Sequence, residues 1–320
     1  MNFAGRETIL IAYIVGAAVT CAATPLARRL AVRSGAIDEP DARKVHERPL
    51  PSWGGLAIML GFGCAIWAGG AVHQMPAGEF VGIMVGGLLV ALVGFVDDRT
   101  ALPANTKLGL QVICVIPLLA SGVTISALSH PLVRQEEVML PGWLSVLVTT
   151  LWVVGVTNAV NLIDGLDGLA SGVAAISCVA LAFIALVWGQ LAVALLCAAL
   201  AGAAVGFLPW NWQPATILMG DTGAYFLGYM IAAVTIQGAF KMAAAIAIFV
   251  PLLVLAVPLL DTALSPLRRF LSGRPAFAAD REHLHHRLVA LGLSETRVVL
   301  LTYMITALCG GIAIWISRAG

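Results

Sequence analysis

Residues 168–220, GLASGVAAISCVALAFIALVWGQLAVALLCAALAGAAVGFLPWNWQPATILMG, run for 53 positions without a charged side chain. A bilayer core about 30 Å thick takes about 20 apolar residues in helical form. This stretch therefore holds two membrane spans, and Trp188, Gly189 and Gln190 mark the turn between them. Working outward, uninterrupted runs recur at residues 8–27, 49–78, 80–96, 108–133, 138–163, 222–240, 242–260 and 298–317. Hydrophobic residues make up 60% of the 320, against 18 Lys and Arg and 17 Asp and Glu, which excludes a water-soluble globule. Both faces of these runs are apolar, so the period-2 alternation of a membrane barrel is absent and the spans are helices.

The expected fold is an all-α polytopic membrane protein of about ten transmembrane helices, with residues 1–320 forming a single integral membrane domain. The first run is longer than a signal h-region and has Glu7 in front of it, so it is read as a span. All six cysteines fall inside apolar runs and read as packing residues.

Counted loop by loop, the cations segregate. Fourteen of the 18, including Arg28, Arg29, Arg33, Lys44, Arg99 and Lys107, fall in loops on one side. The positive-inside bias makes that side cytoplasmic and both termini extracytoplasmic. Most of the acids fall there too, so any chemistry belongs to that face. The external loop 123–141 carries alternating stretches around Thr124–Leu128 and Glu136–Leu140 that suit a short hairpin.

Five polar clusters share the cytoplasmic face. Asp97 and Asp98 close the third span, where adjacent carboxylates repel each other and face the negative end of a helix dipole. Lys107 or a hard divalent metal is the expected compensation; the bland alternative is a solvated helix end. In Asn158-Ala-Val-Asn161-Leu-Ile-Asp164-Gly-Leu-Asp167-Gly, polar residues recur every third position. One straight helix could not aim all four at one point, so a helix ending near Asn161 must hand over to a glycine-rich turn. Asp221 and Thr222, in Met-Gly220-Asp221-Thr222-Gly223, open a helix, where an N-cap and an anion or metal site are both plausible uses. Arg281, His283, His285, His286 and Arg287 lack the spacing or partners of a zinc site and suit phosphate recognition, or membrane topology alone. Lys44 and His46 lie in a Pro-rich loop that ends in Trp53-Gly54-Gly55, a weak signal taken alone. Together the clusters describe a site for Mg²⁺ and a pyrophosphate, the equipment of phosphoryl transfer.

On the stretches VHERPLPSWGG, GFVDDR with Lys107, NAVNLIDGLDGLASG, FLPWNWQPATILMGDTGAYFLG and HLHHRL, in that order, the chain resembles a known family along nearly its whole length. It is similar to the polyprenyl-phosphate N-acetylhexosamine-1-phosphate transferases, the group that includes the WecA/TagO enzymes, peptidoglycan translocase I and the eukaryotic enzyme that starts N-glycan assembly. The resemblance implies transfer of N-acetylhexosamine-1-phosphate, most simply GlcNAc-1-phosphate, from a UDP-sugar to undecaprenyl phosphate, releasing UMP. It implies Mg²⁺, with Mn²⁺ as a substitute, held by Asn161 and Asp221. Lys107 matches a phosphate-binding lysine, and Asp97 and Asp98 match an aspartate pair given either a metal-associated role or that of base for the lipid phosphate; positioning is the reading favoured here. Asp164 and Asp167 match acidic positions near the nucleotide, and Asn158 is a substrate-binding candidate. Lys44, His46, Arg281, His283, His285, His286 and Arg287 are further substrate-binding candidates, and HLHHR looks like the small-sugar side of the family. Ala101 departs from the family's third acid.

The expected setting is a bacterial-type inner membrane with the site at its cytoplasmic face and no nucleic-acid partner. A homodimer is allowed, although the sequence carries no mark of oligomeric state. The alternatives are a phospho-MurNAc-pentapeptide transferase and, from another class, a secondary transporter, which would need carboxylates near mid-membrane.

Overall fold

The structure, a computed structural model, describes residues 3–40, 48–129, 137–239 and 292–319, together with the single positions 252, 255, 256, 259 and 288. Helices dominate: α1 (Phe3–Arg33), α2 (Gly54–Ala68), α3 (Ala77–Thr100), α4 (Ala104–Cys114), α5 (Ile116–Ala120), α6 (Gly142–Ile163), α7 (Leu169–Val187), α8 (Leu191–Asn211), α9 (Gly220–Ala239) and α10 (Glu295–Ala319). Two short antiparallel ribbons complete them. Strand β1 (Ile37–Asp38) pairs with β2 (Leu50–Pro51), and β3 (Ala127–Ser129) with β4 (Glu137–Met139), the strand pairing expected from the alternation.

Among the described residues, six helices are long and apolar enough to cross a bilayer: α1, α3, α6, α7, α8 and α10. The uncharged run 168–220 divides where expected, with α7 ending at Val187, Gly189 at φ +68° and α8 starting at Leu191. Two other runs are not continuous helices. Residues 49–78 give only the 15-residue α2 and then a 3₁₀ turn, Ala71–His73. Residues 108–133 break between α4 and α5, where Pro117 has no N–H to continue the ladder. The run 242–260 lies almost wholly outside the described residues.

Helix α9 packs against α2, α3 and α6 and is buried on nearly every face, so Tyr225, Tyr229 and Thr235 meet protein instead of lipid. Small residues make this approach possible. A Cβ on Gly94 of α3 would collide with the backbone of Asp221 and Thr222, and one on Gly55 of α2 with Gly223. Helix α1 rests on α8 in the same way, over Gly202 and Gly206. Pro25 lies inside α1 and cannot donate to the carbonyl of Cys21 four residues back. The indole of Trp210 takes up that orphan at 3.0 Å, so a defect in one helix becomes a tie to another.

Pairing of two loops fixes the end of the bundle that matters. Leu218 N–H donates to the Pro51 carbonyl at 2.8 Å, while Gly54 and Gly55 N–H donate to Leu218 and Met219 carbonyls at 3.0 and 2.9 Å. The starts of α2 and α9 therefore sit side by side. Trp53 turns this corner in the left-handed region at φ 77°, stacked 4.6 Å from Phe95 with the Arg99 guanidinium over its ring.

Candidate functional site: an acidic cluster at the ends of four helices

Helix α3 ends, α4 begins, α6 ends and α9 begins at one place, and this collects residues more than 120 positions apart. The first to be fixed is Asp97. Ala101 takes the left-handed conformation (φ 49°) as the C-cap of α3 and turns the chain back. That turn lets Leu102 N–H donate to Asp97 Oδ1 at 2.8 Å. The Tyr225 hydroxyl donates to Asp97 Oδ2 at 3.1 Å, and Lys107 Nζ, one turn into α4, lies 2.6 Å from the same oxygen. The Asp97 side chain is 1% exposed, so its charge depends on Lys107. Ala101, which stands where the resembled family has a third acid, serves here as the cap.

Asp98 does something different. Its carboxylate crosses to the start of α9, accepting from Asp221 N–H at 2.7 Å, Thr222 N–H at 3.2 Å and Thr222 Oγ1 at 2.6 Å. A carboxylate at the positive end of a helix dipole, bonded to its first free N–H groups, is a favourable capping arrangement. The cap of α9 thus comes from α3, and the Asp221 carboxylate is left over for other work. Asp221 Oδ1 accepts from Asn161 Nδ2 at 2.6 Å, and its Oδ2 lies 3.6 Å from Lys107 Nζ.

Beyond Asn161, α6 ends at Ile163 and the chain makes the glycine-rich turn expected of it, with Gly168 at φ +78° opening α7. Asp164 lies in this turn. Burial, and then the carboxylates of Asp221, Asp98 and Asp167, hold its carboxyl well above the usual carboxylate range. Asp167 faces elsewhere and accepts from Ala215 N–H at 2.8 Å. Asn158, one turn before Asn161, exchanges hydrogen bonds with Gln111 of α4 (2.6 and 3.4 Å) and donates to the Val154 carbonyl.

Among the described residues, no three His, Cys, Asp or Glu side chains form a metal cage. The donors present are the Asp221 carboxylate and the amide oxygen of Asn161, with Asp164 near enough to repel Asp221. A set of hard oxygens this small suits Mg²⁺, which keeps several waters and binds through one or two carboxylates plus substrate phosphates.

Comparison with known proteins bears on what such a site is for. Residues 80–239 match the family described as glycosyl transferase family 4. The chain is 37% identical over 297 residues to a Bacillus subtilis (strain 168) protein named probable undecaprenyl-phosphate N-acetylglucosaminyl 1-phosphate transferase, covering 93% of this chain and 82% of that relative. The chain belongs to glycosyl transferase family 4. A second member, the decaprenyl-phosphate N-acetylglucosaminephosphotransferase of Mycobacterium tuberculosis (strain CDC 1551 / Oshkosh), is 36% identical over 326 residues, with 93% and 80% covered. A third, the phospho-N-acetylmuramoyl-pentapeptide-transferase of Mycolicibacterium vanbaalenii, is 32% identical over 366 residues, with 97% of each chain covered.

The region that matches the family model contains Asp97, Asp98, Lys107, Asn158, Asn161, Asp164, Asp167 and Asp221. The structure brings Asp97, Asp98, Lys107, Asn161 and Asp221 into direct contact with one another, with Asp164 beside them. Asp167 and Asn158 are tied to neighbouring elements. Lys44, His46, Arg281, His283, His285, His286 and Arg287 lie outside the described residues. Sequence reasoning missed Tyr225 and Gln111. Tyr225 carried a usable signal, since it follows Asp221 by four residues and so shares its helix face. Gln111 carried the same kind of signal, since it follows Lys107 by four residues on α4.

Proposed function

We propose that this family 4 protein transfers N-acetylhexosamine-1-phosphate, in the first instance N-acetylglucosamine-1-phosphate, from a UDP-sugar to a membrane polyprenyl phosphate. UMP leaves, and the lipid diphosphate starts a cell-envelope glycan. The observation that carries this reading is the convergence of Lys107, Asn161 and Asp221 within 3.6 Å contacts at the joint end of three helices. It agrees with the names of the relatives from Bacillus subtilis and Mycobacterium tuberculosis.

The reaction requires an oxygen of the lipid phosphate to attack the β-phosphorus of the donor while UMP departs. A phosphate monoester has its second pKa near 6, so the nucleophile is already largely ionised at neutral pH and needs no strong base. Asp97 and Asp98 are then positioning groups: Asp97 holds Lys107, and Asp98 holds the first turn of α9 and so the direction of Asp221. The Lys107 ammonium has three donors, and after Asp97 it has others to offer a phosphate oxygen. Asp221 and Asn161 would hold Mg²⁺, or Mn²⁺ in its place, whose chemistry is to neutralise charge on the pyrophosphate. Asp164 and Asp167 belong to the nucleotide side, and Asn158 lines the substrate site. Lys44, His46, Arg281, His283, His285, His286 and Arg287 belong to the rest of the substrate. The proposed setting is ten spans in an inner membrane, termini outside, with this site at the cytoplasmic face.

The pentapeptide alternative has relatives at 32% identity but lacks support from HLHHR, which resembles the small-sugar side of the family. A transporter would place carboxylates near mid-membrane. In the described helices every Asp and Glu lies close to a helix end.

Purified protein incubated with sugar-labelled UDP-N-acetylglucosamine, undecaprenyl phosphate and Mg²⁺ should move label into an organic phase, and omission of any one component should stop it. Label transfer from the UDP-MurNAc-pentapeptide alone would replace the assigned donor.

A further inference from the structure

Helix α10 leaves Leu300, Met304, Leu308 and Trp315 exposed, as a helix against lipid does, and rests chiefly on α7. Its polar groups are used selectively. Thr302 and Thr306 bond back to their own helix. Three others reach two adjacent loops, Glu295 and Thr296 at Gln213 and Tyr303 at Gly168. Gln213 Nε2 donates to Glu295 Oε2 at 3.1 Å, and Thr296 Oγ1 donates to Gln213 Oε1 at 2.7 Å, so both ends of the Gln213 amide are engaged by the start of α10. Further along, the Tyr303 hydroxyl donates to the Gly168 carbonyl at 2.5 Å.

Gly168 closes the turn that carries Asp164 and Asp167. Its N–H donates to Asn211 Oδ1 at 3.1 Å, so both of its backbone polar groups are held, one by α8 and one by α10. The Tyr303 ring sits in the notch left by Gly172, where a Cβ would collide with the phenol. Two residues beyond Gln213, Ala215 N–H holds the Asp167 carboxylate. The turn is thus fastened to α10 twice, directly through Gly168 and indirectly through Gln213 and Ala215.

We propose that α10 is a strut for the nucleotide end of the site, with Tyr303 and Gln213 as positioning residues that hold the Asp164–Gly168 turn for donor binding. The inference rests on the reading of that turn as nucleotide-facing. The Gly168 carbonyl also accepts from Gly172 N–H at 3.0 Å and Ser171 Oγ at 3.2 Å, so removing the phenol hydroxyl leaves it satisfied within α7 and deletes only its tie to α10. Gln213→Glu sets a carboxylate against Glu295, and the double variant Gln213→Glu/Glu295→Gln restores a donor and an acceptor across the same pair.

The test is donor KM, UMP affinity and kcat for each variant, with thermal melting as the check on folding. Tyr303→Phe and Gln213→Glu should each weaken UMP and UDP-sugar binding about three- to tenfold, the worth of one displaced hydrogen bond, with kcat within about twofold. The double variant should recover most of the loss. Wild-type KM and UMP affinity in both single variants, with only a lowered melting temperature, would make α10 a structural support and overturn the inference. Asp167→Asn, which keeps an oxygen for Ala215 N–H, separates the two failures. If it weakens UMP while Tyr303→Phe and Gln213→Glu do not, the strut alone is wrong. If it leaves UMP affinity untouched, the turn does not face the nucleotide and the strut falls with that reading.

Discussion

Asp98 and Asp221 touch the same helix terminus, yet their removal should have different consequences. Asp98→Ala deletes the acceptor for two backbone N–H groups and the Thr222 hydroxyl, at 2.7, 3.2 and 2.6 Å. Hydrogen bonds to a charged group contribute about 1.5–3 kcal/mol each, and these three share one carboxylate, so the loss is about 3–5 kcal/mol. Asp221→Ala forfeits one amide bond, from Asn161 at 2.6 Å, and a long 3.6 Å ion pair with Lys107, and it relieves repulsion by the Asp97 and Asp98 carboxylates. Its stability should stay within about 1 kcal/mol of wild type. Turnover should fall in both variants, since Asp98 sets the direction of Asp221, but only in Asp221→Ala without a matching loss of stability. Loss of a metal ligand should lower turnover of Asp221→Ala at least about a hundredfold, the scale reached even by partners one shell outside a metal. Thermal melting in detergent with and without Mg²⁺, beside turnover at saturating substrates, reads both quantities. Wild-type protein should melt higher with Mg²⁺ and Asp221→Ala should not respond. An Asp221→Ala protein that melts several kcal/mol lower yet turns over normally would refute the division of labour and make Asp221 a structural residue.

Lys107→Ala strands the buried Asp97 charge, so it should cost about 3 kcal/mol or more as well as abolishing turnover, whereas Asp97→Asn/Lys107→Ala should recover stability and stay inactive; equal melting of the single and double variants would contradict this. Trp210→Phe should destabilise by about 1 kcal/mol by orphaning the Cys21 carbonyl, and Pro25→Ala, which supplies its own N–H, should make that change neutral in a double-mutant cycle. Cysteines placed at positions 44 and 285 of a Cys-less protein should react with impermeant thiol reagents from the cytoplasmic side only, and labelling of either from outside would reverse the proposed topology.

The helical membrane fold was legible because charge and length speak directly to a bilayer. The break at Trp188–Gln190, the turn after Asn161 and the β3–β4 pairing all carried local signals in Gly placement or alternation. Helix lengths within the runs 49–78 and 108–133 were not legible, since apolarity says where lipid is tolerated and not where a helix stops. The site residues were readable as a set of polar side chains on one face. Their individual tasks were not. Asp97 and Asp98 are adjacent in sequence, yet one neutralises Lys107 and the other caps a helix that starts 122 residues later, a distinction made by the approach of α9 over Gly94. Gln213 and Tyr303 had no local signature, because each is defined by a partner on another element.

The central claim is that phosphorus travels with the sugar. UDP-N-acetylglucosamine labelled with ³²P at the β-phosphate, incubated with the purified protein, undecaprenyl phosphate and Mg²⁺, tests it directly. The label should enter the lipid product in equal amount to the UMP released, and neither should form with Asp221→Ala. Release of UDP with the label left in water, while the sugar reaches lipid, would mean attack at the sugar carbon and would contradict the account.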